Sequence, residues 1–436
     1  MELDGRMLYQ EACAKLSSVA NLVIEYELSE SRTVGSDTYT KQIMGTDSYC
    51  AIGTEAMECV VSQSLTYGTF QTDYTEFFSG GTAYAHVNGS DFSCPMDAEA
   101  FLSRQIPALL LDSNLYDNIH ASFDENGCLL TFTGATAAES WAVPFEDMQQ
   151  LSVNGTAAVD ANGMIRQFTY GIEYLYEGVT YHFGINAKIT TADRLDLSAI
   201  HPSDPESPVQ LTDLDVPKHL LQAVGDLFTA QSISAEINQT LVSQVYTLTQ
   251  NQQSALHLCG SGDQLSARWD TSLTVTDYRG DPVTKTQTDH FENGMLKRTV
   301  NGEIQTEQAQ AAEEIRIRWE NQILNSFFAL HYLADADITD DGSTFTLKLT
   351  GNEAFCDAVA ASFRSVIPND LDSIADSFET GIAGGYMIID KATALPISMG
   401  MEFQRTHMIS GVFYPLSFSL TQHLKLSDGS TQDALQ

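Results

Sequence analysis

Apolar and polar residues alternate through long stretches of the chain, which is the period of a strand with one buried face. Leu22, Ile24, Tyr26 and Leu28 share one side of the segment 21–29, and Ile233, Ala235 and Ile237 repeat the pattern in the second half. Phe168, Tyr170, Ile172, Tyr174 and Tyr176 alternate late in the first half, as Ile397, Met399, Met401 and Phe403 do late in the second. Turn signals separate such runs. Gly35-Ser36-Asp37, Gly80-Gly81, Asn88-Gly89, Gly280-Asp281-Pro282 and Asn293-Gly294 mark hairpins. Helical spacing is confined to a few places. Helices are expected over 7–20 and 218–230, each running straight into a strand. Ile315, Trp319, Ile323 and Phe327 fall four apart, one stripe of an amphipathic helix. The matching segment 97–111 contains Pro107, which should end or kink it. Phe355, Val359, Phe363 and Val366 line a further helix stopped by Pro368, with a weaker counterpart over 141–151.

The two halves match one another. Phe78 to Gly81 with Val87-Asn88-Gly89 recurs as Phe291 to Gly294 with Val300-Asn301-Gly302, displaced by 213 residues. Gly171-Ile172-Glu173-Tyr174 recurs as Gly400-Met401-Glu402-Phe403, displaced by 229. The displacement only grows along the chain, as small insertions in a second copy would make it. So long a period is a tandem domain pair, not a solenoid. Helix, antiparallel strands, inserted helices and more strands define an α+β class. The expected architecture is two tandem copies of a curved antiparallel sheet, a half-barrel, with helices packed on its concave face. The first copy spans 1–200 and the second 217–436. A linker over 201–216, rich in Pro and Asp, joins them.

Charge narrows the function classes. Against 21 Lys and Arg stand 58 Asp and Glu, a net charge of −37. Such a surface repels nucleic-acid phosphates and anionic headgroups. The acidity serves solubility or, more specifically, cation binding. The best acidic cluster, Asp335 to Gly342, lacks EF-hand spacing and reads more simply as a hairpin turn. Seven cysteines, with no CxxC pair, argue against a zinc ribbon or a thioredoxin motif. Cys50 and Cys59 are placed to meet across a hairpin, so one bridge is expected at most. No apolar run reaches membrane-spanning length. Met1 to Arg6 shows no signal peptide, which fits either a cytoplasmic chain or a mature form with its leader removed.

The opening helix into Asn21-Leu22-Val23-Ile24-Glu25-Tyr26, the hairpin from Gly80 to Gly89 and the closing meander carry a resemblance. The element order resembles extracytoplasmic lipoproteins of the lipoprotein-carrier (LolA-like) superfamily. The resemblance implies an envelope location, attachment to a membrane only through a lipid anchor, and a cavity for acyl chains. No lipobox cysteine is present, since Cys13 lies within the first helix.

Catalytic patterns are missing. There is no Gly-x-Ser-x-Gly elbow, no Walker loop and no zincin helix. No catalytic residue, metal ligand or cofactor is assigned, and the chain is expected not to be an enzyme. Glu173 and Glu402 point away from the apolar stripe. They are either solvated or carboxylates of a ligand site shared by the two copies. Tyr170, Ile172, Tyr174, Met399, Met401, Phe403, Trp319 and Phe363 are the candidate ligand-binding residues, because aromatic and Met stripes can accept varied apolar ligands. The same stripes can equally be plain core. The expected function is a binding protein for lipid or another apolar ligand held between sheet and helices. The alternative is a structural or interaction module that engages an envelope protein.

Overall fold

The alternation in the sequence becomes two large antiparallel sheets. The computed structural model describes residues 4–427 apart from 35–36, 53, 55, 68–69, 88, 107–115, 117, 125–126, 135–148, 177–178, 193–194, 196, 198–207, 245–246, 261, 278–279, 325–329, 331–332, 353–354, 356–376 and 392–394. The chain divides into two units, Met1–Leu214 and Asp215–Gln436.

The first unit opens with α1 (Gly5–Ser17), then β1 (Asn21–Val34), β2 (Asp37–Cys50), β3 (Glu58–Tyr67) and β4 (Phe70–Ser79). There follow β5 (Thr82–Val87), β6 (Ser90–Pro95), the short α2 (Ala98–Ser103), β7 (Asn118–Asp124) and β8 (Gly127–Thr133). β9 (Gln149–Asp160), β10 (Ile165–Tyr176), β11 (Val179–Thr191) and β12 (Val209–Gln210) complete it. The strand order is β12-β6-β5-β4-β3-β2-β1-β11-β10-β9-β8-β7. Two meanders therefore meet where β1 pairs with β11, from Leu22↔Thr191 to Thr33↔Thr180.

Alternation decides the buried face. Leu22, Ile24 and Tyr26 of β1 are buried, with Phe132 of β8 and Phe168 of β10. α1 packs on this face through Tyr9, whose ring centre lies 4.9 Å from that of Phe132. Asp4 caps α1 by accepting from the Arg6 N–H at 3.0 Å. The helix begins two residues earlier than apolar spacing suggests. Gly5 permits this, since a Cβ there would lie 2.4 Å from the Ile119 carbonyl oxygen.

The second unit comprises α3 (Asp215–Thr229), β13 (Ser232–Ser243), β14 (Leu248–Cys259), β15 (Ser266–Thr276) and β16 (Pro282–Glu292). Next come β17 (Met295–Val300), β18 (Glu303–Ala309), α4 (Ala312–Leu324), β19 (Leu333–Asp340) and β20 (Thr344–Gly351). β21 (Ser377–Asp390), β22 (Pro396–Ile409) and β23 (Val412–Ser427) close it. The order is β18-β17-β16-β15-β14-β13-β23-β22-β21-β20-β19, the order of the first sheet without β12. The first and last long strands again meet at its centre, Ser232↔Ser427 through Ser243↔Leu416. Asn293-Gly294 joins β16 to β17 with φ of 51° and 75°, and Asn301-Gly302 joins β17 to β18 with 49° and 84°. Both residues of each pair lie in the left-handed region, as a type I′ hairpin requires. Ile315, Trp319 and Ile323 of α4 are buried, and Trp319 meets Trp269 of β15 edge-on at 5.6 Å.

Two expectations change. Residues 149–151, read as the end of a helix, belong to β9; the rest of that helix and most of the one over 355–366 lie outside the described residues. The segment read as linker also contributes structure. β12 pairs in parallel with β6, Val209↔Phe92 and Gln210↔Ser93, and the Leu211 N–H donates to the Ser93 carbonyl at 2.7 Å. Pro-rich composition hid this, because the apolar positions are few; yet Leu211 and Leu214 are fully buried. A fragment ending at residue 205 is therefore expected to be less stable in urea than one ending at 214, by about 3 kcal/mol or more for two buried leucines. Equal midpoints for the two fragments would show that the segment is dispensable.

Candidate functional site

The aromatic and Met stripes lie in the interiors of the units. Tyr170, Ile172, Tyr174, Met399, Met401, Phe403 and Trp319 are all buried. Phe363 lies outside the described residues. Tyr174 stacks on Tyr181 with ring centres 5.0 Å apart and planes 4° from parallel. Tyr170, Ile172 and Tyr174 lie on β10, Met399, Met401 and Phe403 on β22, and Trp319 on α4.

A recess of about 1130 Å3 opens on the opposite, solvent face of β20, β21, β22 and β23. Missing side chains make it. Gly381, Gly384, Gly385 and Gly400 border it. A Cβ at 400 would lie 2.3 Å from Cε1 of Tyr386, the residue paired with Gly400, and one at 384 would lie 2.7 Å from the Leu349 carbonyl oxygen. Glycine in a strand interior commonly marks such close approach. Polar residues surround this floor: Lys348 and Thr350 on β20, Glu402 on β22, Ser419 and Thr421 on β23. Of the candidates read from the sequence, Met401 and Glu402 border the recess. Smaller recesses of about 850 Å3 over β1–β4, β11 and β10 and about 510 Å3 over β13–β16 are lined mainly by polar side chains.

Glu173 and Glu402 do face away from the apolar stripe. Their surroundings differ. Opposite Glu173, β11 presents His182, whose Nδ1 lies 3.2 Å from the carboxylate. Opposite Glu402, β23 presents Ser419, and among the described residues the Glu402 carboxylate has no side-chain partner.

Other polar groups are structural in arrangement. On the inner face of the first sheet the Tyr49 hydroxyl donates to Asp47 at 2.9 Å, and the Tyr74 hydroxyl and the Gln105 amide donate to Glu76 at 2.6 and 2.9 Å. Burial, reinforced by the Asp47 charge, pushes the Tyr26 and Tyr49 hydroxyls and the Cys59 thiol well above their ordinary values. Cys59 is thus a protonated, buried thiol and a poor nucleophile. The expected bridge does not form. Cys50 pairs with Glu58 and Cys59 with Tyr49, so the two thiols point to opposite faces and neither is in a disulfide. In the acidic hairpin, Asp340 accepts from the Lys391 ammonium and the Gly342 N–H, and Lys391 lowers its carboxyl value. Among the described residues no three His, Cys, Asp or Glu side chains converge as metal ligands.

Glu320 on α4 is the buried carboxyl with the clearest shift. Arg316 donates to it at 2.6 Å, but burial outweighs that pairing and pushes its value up to about 7. A raised value means that the folded state binds the proton more tightly than the unfolded chain. The resulting stability is present below the ordinary glutamate value and lost as pH rises through about 7. Urea unfolding followed by Trp269 and Trp319 fluorescence should weaken from about pH 5 to pH 8, and Glu320→Gln should flatten that slope. An unchanged slope in the variant would place the proton elsewhere. A second expectation concerns Tyr170, whose buried hydroxyl has no hydrogen-bond partner among the described residues. Tyr170→Phe should change stability by less than about 0.5 kcal/mol, or raise it, because no bond is lost. A loss above about 1 kcal/mol would show that this hydroxyl is engaged.

No family model matches the chain, and no curated protein matches it. Among solved structures the chain is similar to LprF from Mycobacterium bovis, at 8% identity and a TM-score of 0.29, over 44% of this chain and 94% of that one. It is similar to a DUF1329 family protein from Desulfovibrio piger, at 10% identity and a TM-score of 0.21, over 46% of this chain and 96% of that one. A third likeness is to AttH of Nitrosomonas europaea, at 7% identity and a TM-score of 0.15, over 92% of each chain. At these TM-scores the likenesses carry no argument.

Proposed function

We propose that the protein is a non-enzymatic binding protein acting outside the cytoplasm, with its ligand site in the recess over β20–β23. The observation that carries this is the glycine floor. Side chains are absent from neighbouring strands on one face, and at Gly384 and Gly400 the backbone and Tyr386 leave no room for them. The volume, about 1130 Å3, is slightly above the usual range of ligand sites, about 300–1,000 Å3. The lining joins apolar residues such as Ile388 with a few polar groups able to orient a ligand.

The sequence points instead to an apolar ligand held between the helices and the concave face of a half-barrel. The packing supports that site less well. Tyr174 lies flat on Tyr181, and Trp319 meets Trp269, so these side chains fill space that an acyl chain would occupy. The interaction-module alternative draws on a different feature. β18 is exposed along its whole length, and among the described residues its outer edge pairs with no strand. An unpaired edge can accept an extended segment from an envelope protein.

The recess is tested with Ser419→Trp, which fills it from an exposed position on β23. Wild type and variant are offered a bacterial lipid extract, a tripeptide library and an oligosaccharide array, and bound material is recovered by native mass spectrometry. A compound bound by wild type, lost from the variant and recovered chemically unchanged is the expected result. Equal binding by both proteins, or conversion of the bound compound, would overturn the proposal.

A further inference from the structure

We infer that the recess over β20–β23 takes a neutral glycan, with Tyr386 as the platform for a sugar ring and Glu402 as the acceptor for its hydroxyls. This rests on the proposal that the recess is the binding site. The inference starts from how the two units differ at one matched position. Glu173 and Glu402 occupy the same place in the Gly-apolar-Glu-aromatic segment, and both face solvent. In the first unit the neighbouring strand supplies His182, and the carboxylate is engaged at 3.2 Å. In the second unit the neighbouring strand supplies Ser419, and the carboxylate stands in the recess without a side-chain partner among the described residues. The carboxylate of the first unit is thus paired with an imidazole, and that of the second faces the recess.

The surroundings of Glu402 define what it would accept from. Gly400 precedes it by two residues on the same face, and the Tyr386 ring lies against Gly400. An aromatic ring lying on Gly400, with a carboxylate two residues further along the same face, suits a flat ligand with an apolar face and a polar edge. A sugar ring has this form: one face is C–H, and the rim carries hydroxyls that both donate and accept. Ser419, Thr421 and Thr350 add hydroxyls that can do either. Lys348 pairs with Tyr386 on the other flank and donates only. A neutral polyol satisfies the acceptor and the donor together.

Other ligand classes fit less well. An acyl chain would cover Glu402, Lys348 and the hydroxyls without replacing their water. An anionic ligand would meet Glu402 and a chain of net charge −37. A polycation would meet Lys348 at the recess and gain little over the rest of the acidic surface.

The test uses the full chain on an array of neutral, acidic and amino oligosaccharides, with hits titrated by calorimetry. Neutral oligosaccharides should bind. Glu402→Gln should weaken them about ten-fold, and Tyr386→Leu ten-fold or more, whereas Tyr386→Phe, which keeps the ring, should bind as wild type. Glu173→Gln, at the matched position of the first unit, should leave binding unchanged. Circular dichroism and urea midpoints establish that each variant is folded. No binding of neutral oligosaccharides, or binding indifferent to both Glu402→Gln and Tyr386→Leu, would overturn the glycan inference. If the wild type instead captures a lipid or peptide that Ser419→Trp excludes, the recess stands and the glycan falls. Glycan binding untouched by Ser419→Trp would overturn the recess itself.

Discussion

Each sheet depends on one long-range pairing, that of its first long strand with its last long strand. Without β1 against β11 the first unit would be two separate meanders, β1 to β6 and β7 to β11, each with a free inner edge. The same holds for β13 against β23 in the second unit. The pairing runs in continuous register over twelve residues in both cases, from Leu22↔Thr191 to Thr33↔Thr180 and from Ser232↔Ser427 to Ser243↔Leu416. A slip of one residue would turn the buried set outward on every strand beyond it. Leu22, Ile24 and Tyr26, and their counterparts Ile233, Ala235 and Ile237, fix the register, because only one phase keeps them all buried.

Much of this was legible in the chain. Period-two alternation identified the buried face of β1, β10, β13 and β22, and Asn293-Gly294 marked the turn between β16 and β17. Spacing of four marked α4. The failures have physical reasons. Segment 201–216 looked like a tether because it is rich in Pro and Asp, whereas two buried leucines and one backbone pairing suffice to hold a sheet edge. Cys50 and Cys59 looked close because a hairpin joins their strands; the register, which sequence does not give, puts them on opposite faces.

The recess was the least legible feature. It comes from side chains that are missing on the outer face of β21 and β22, and the glycines at 384 and 400 show no common purpose until the two strands are paired. The Glu173 and Glu402 positions could be found as repeats, and their outward direction followed from alternation. The divergence between them lies in the partner strand, where His182 faces one and Ser419 the other. The apolar stripes were legible as apolar, but apolarity alone does not separate a packed interior from a lined cavity.

The central seam also sets the order of events during synthesis. Thr33 is made early, yet its partner Thr180 follows only after nearly the whole unit has been produced. At about 5–20 residues per second, roughly 150 residues take about 8–30 s to emerge. Throughout that interval β1 is an open edge bearing a fresh row of apolar side chains, and the high contact order of the final pairing slows its closure further. The nascent first unit is thus a template for strand addition before it is a folded domain, and the second unit passes through the same vulnerable state in turn.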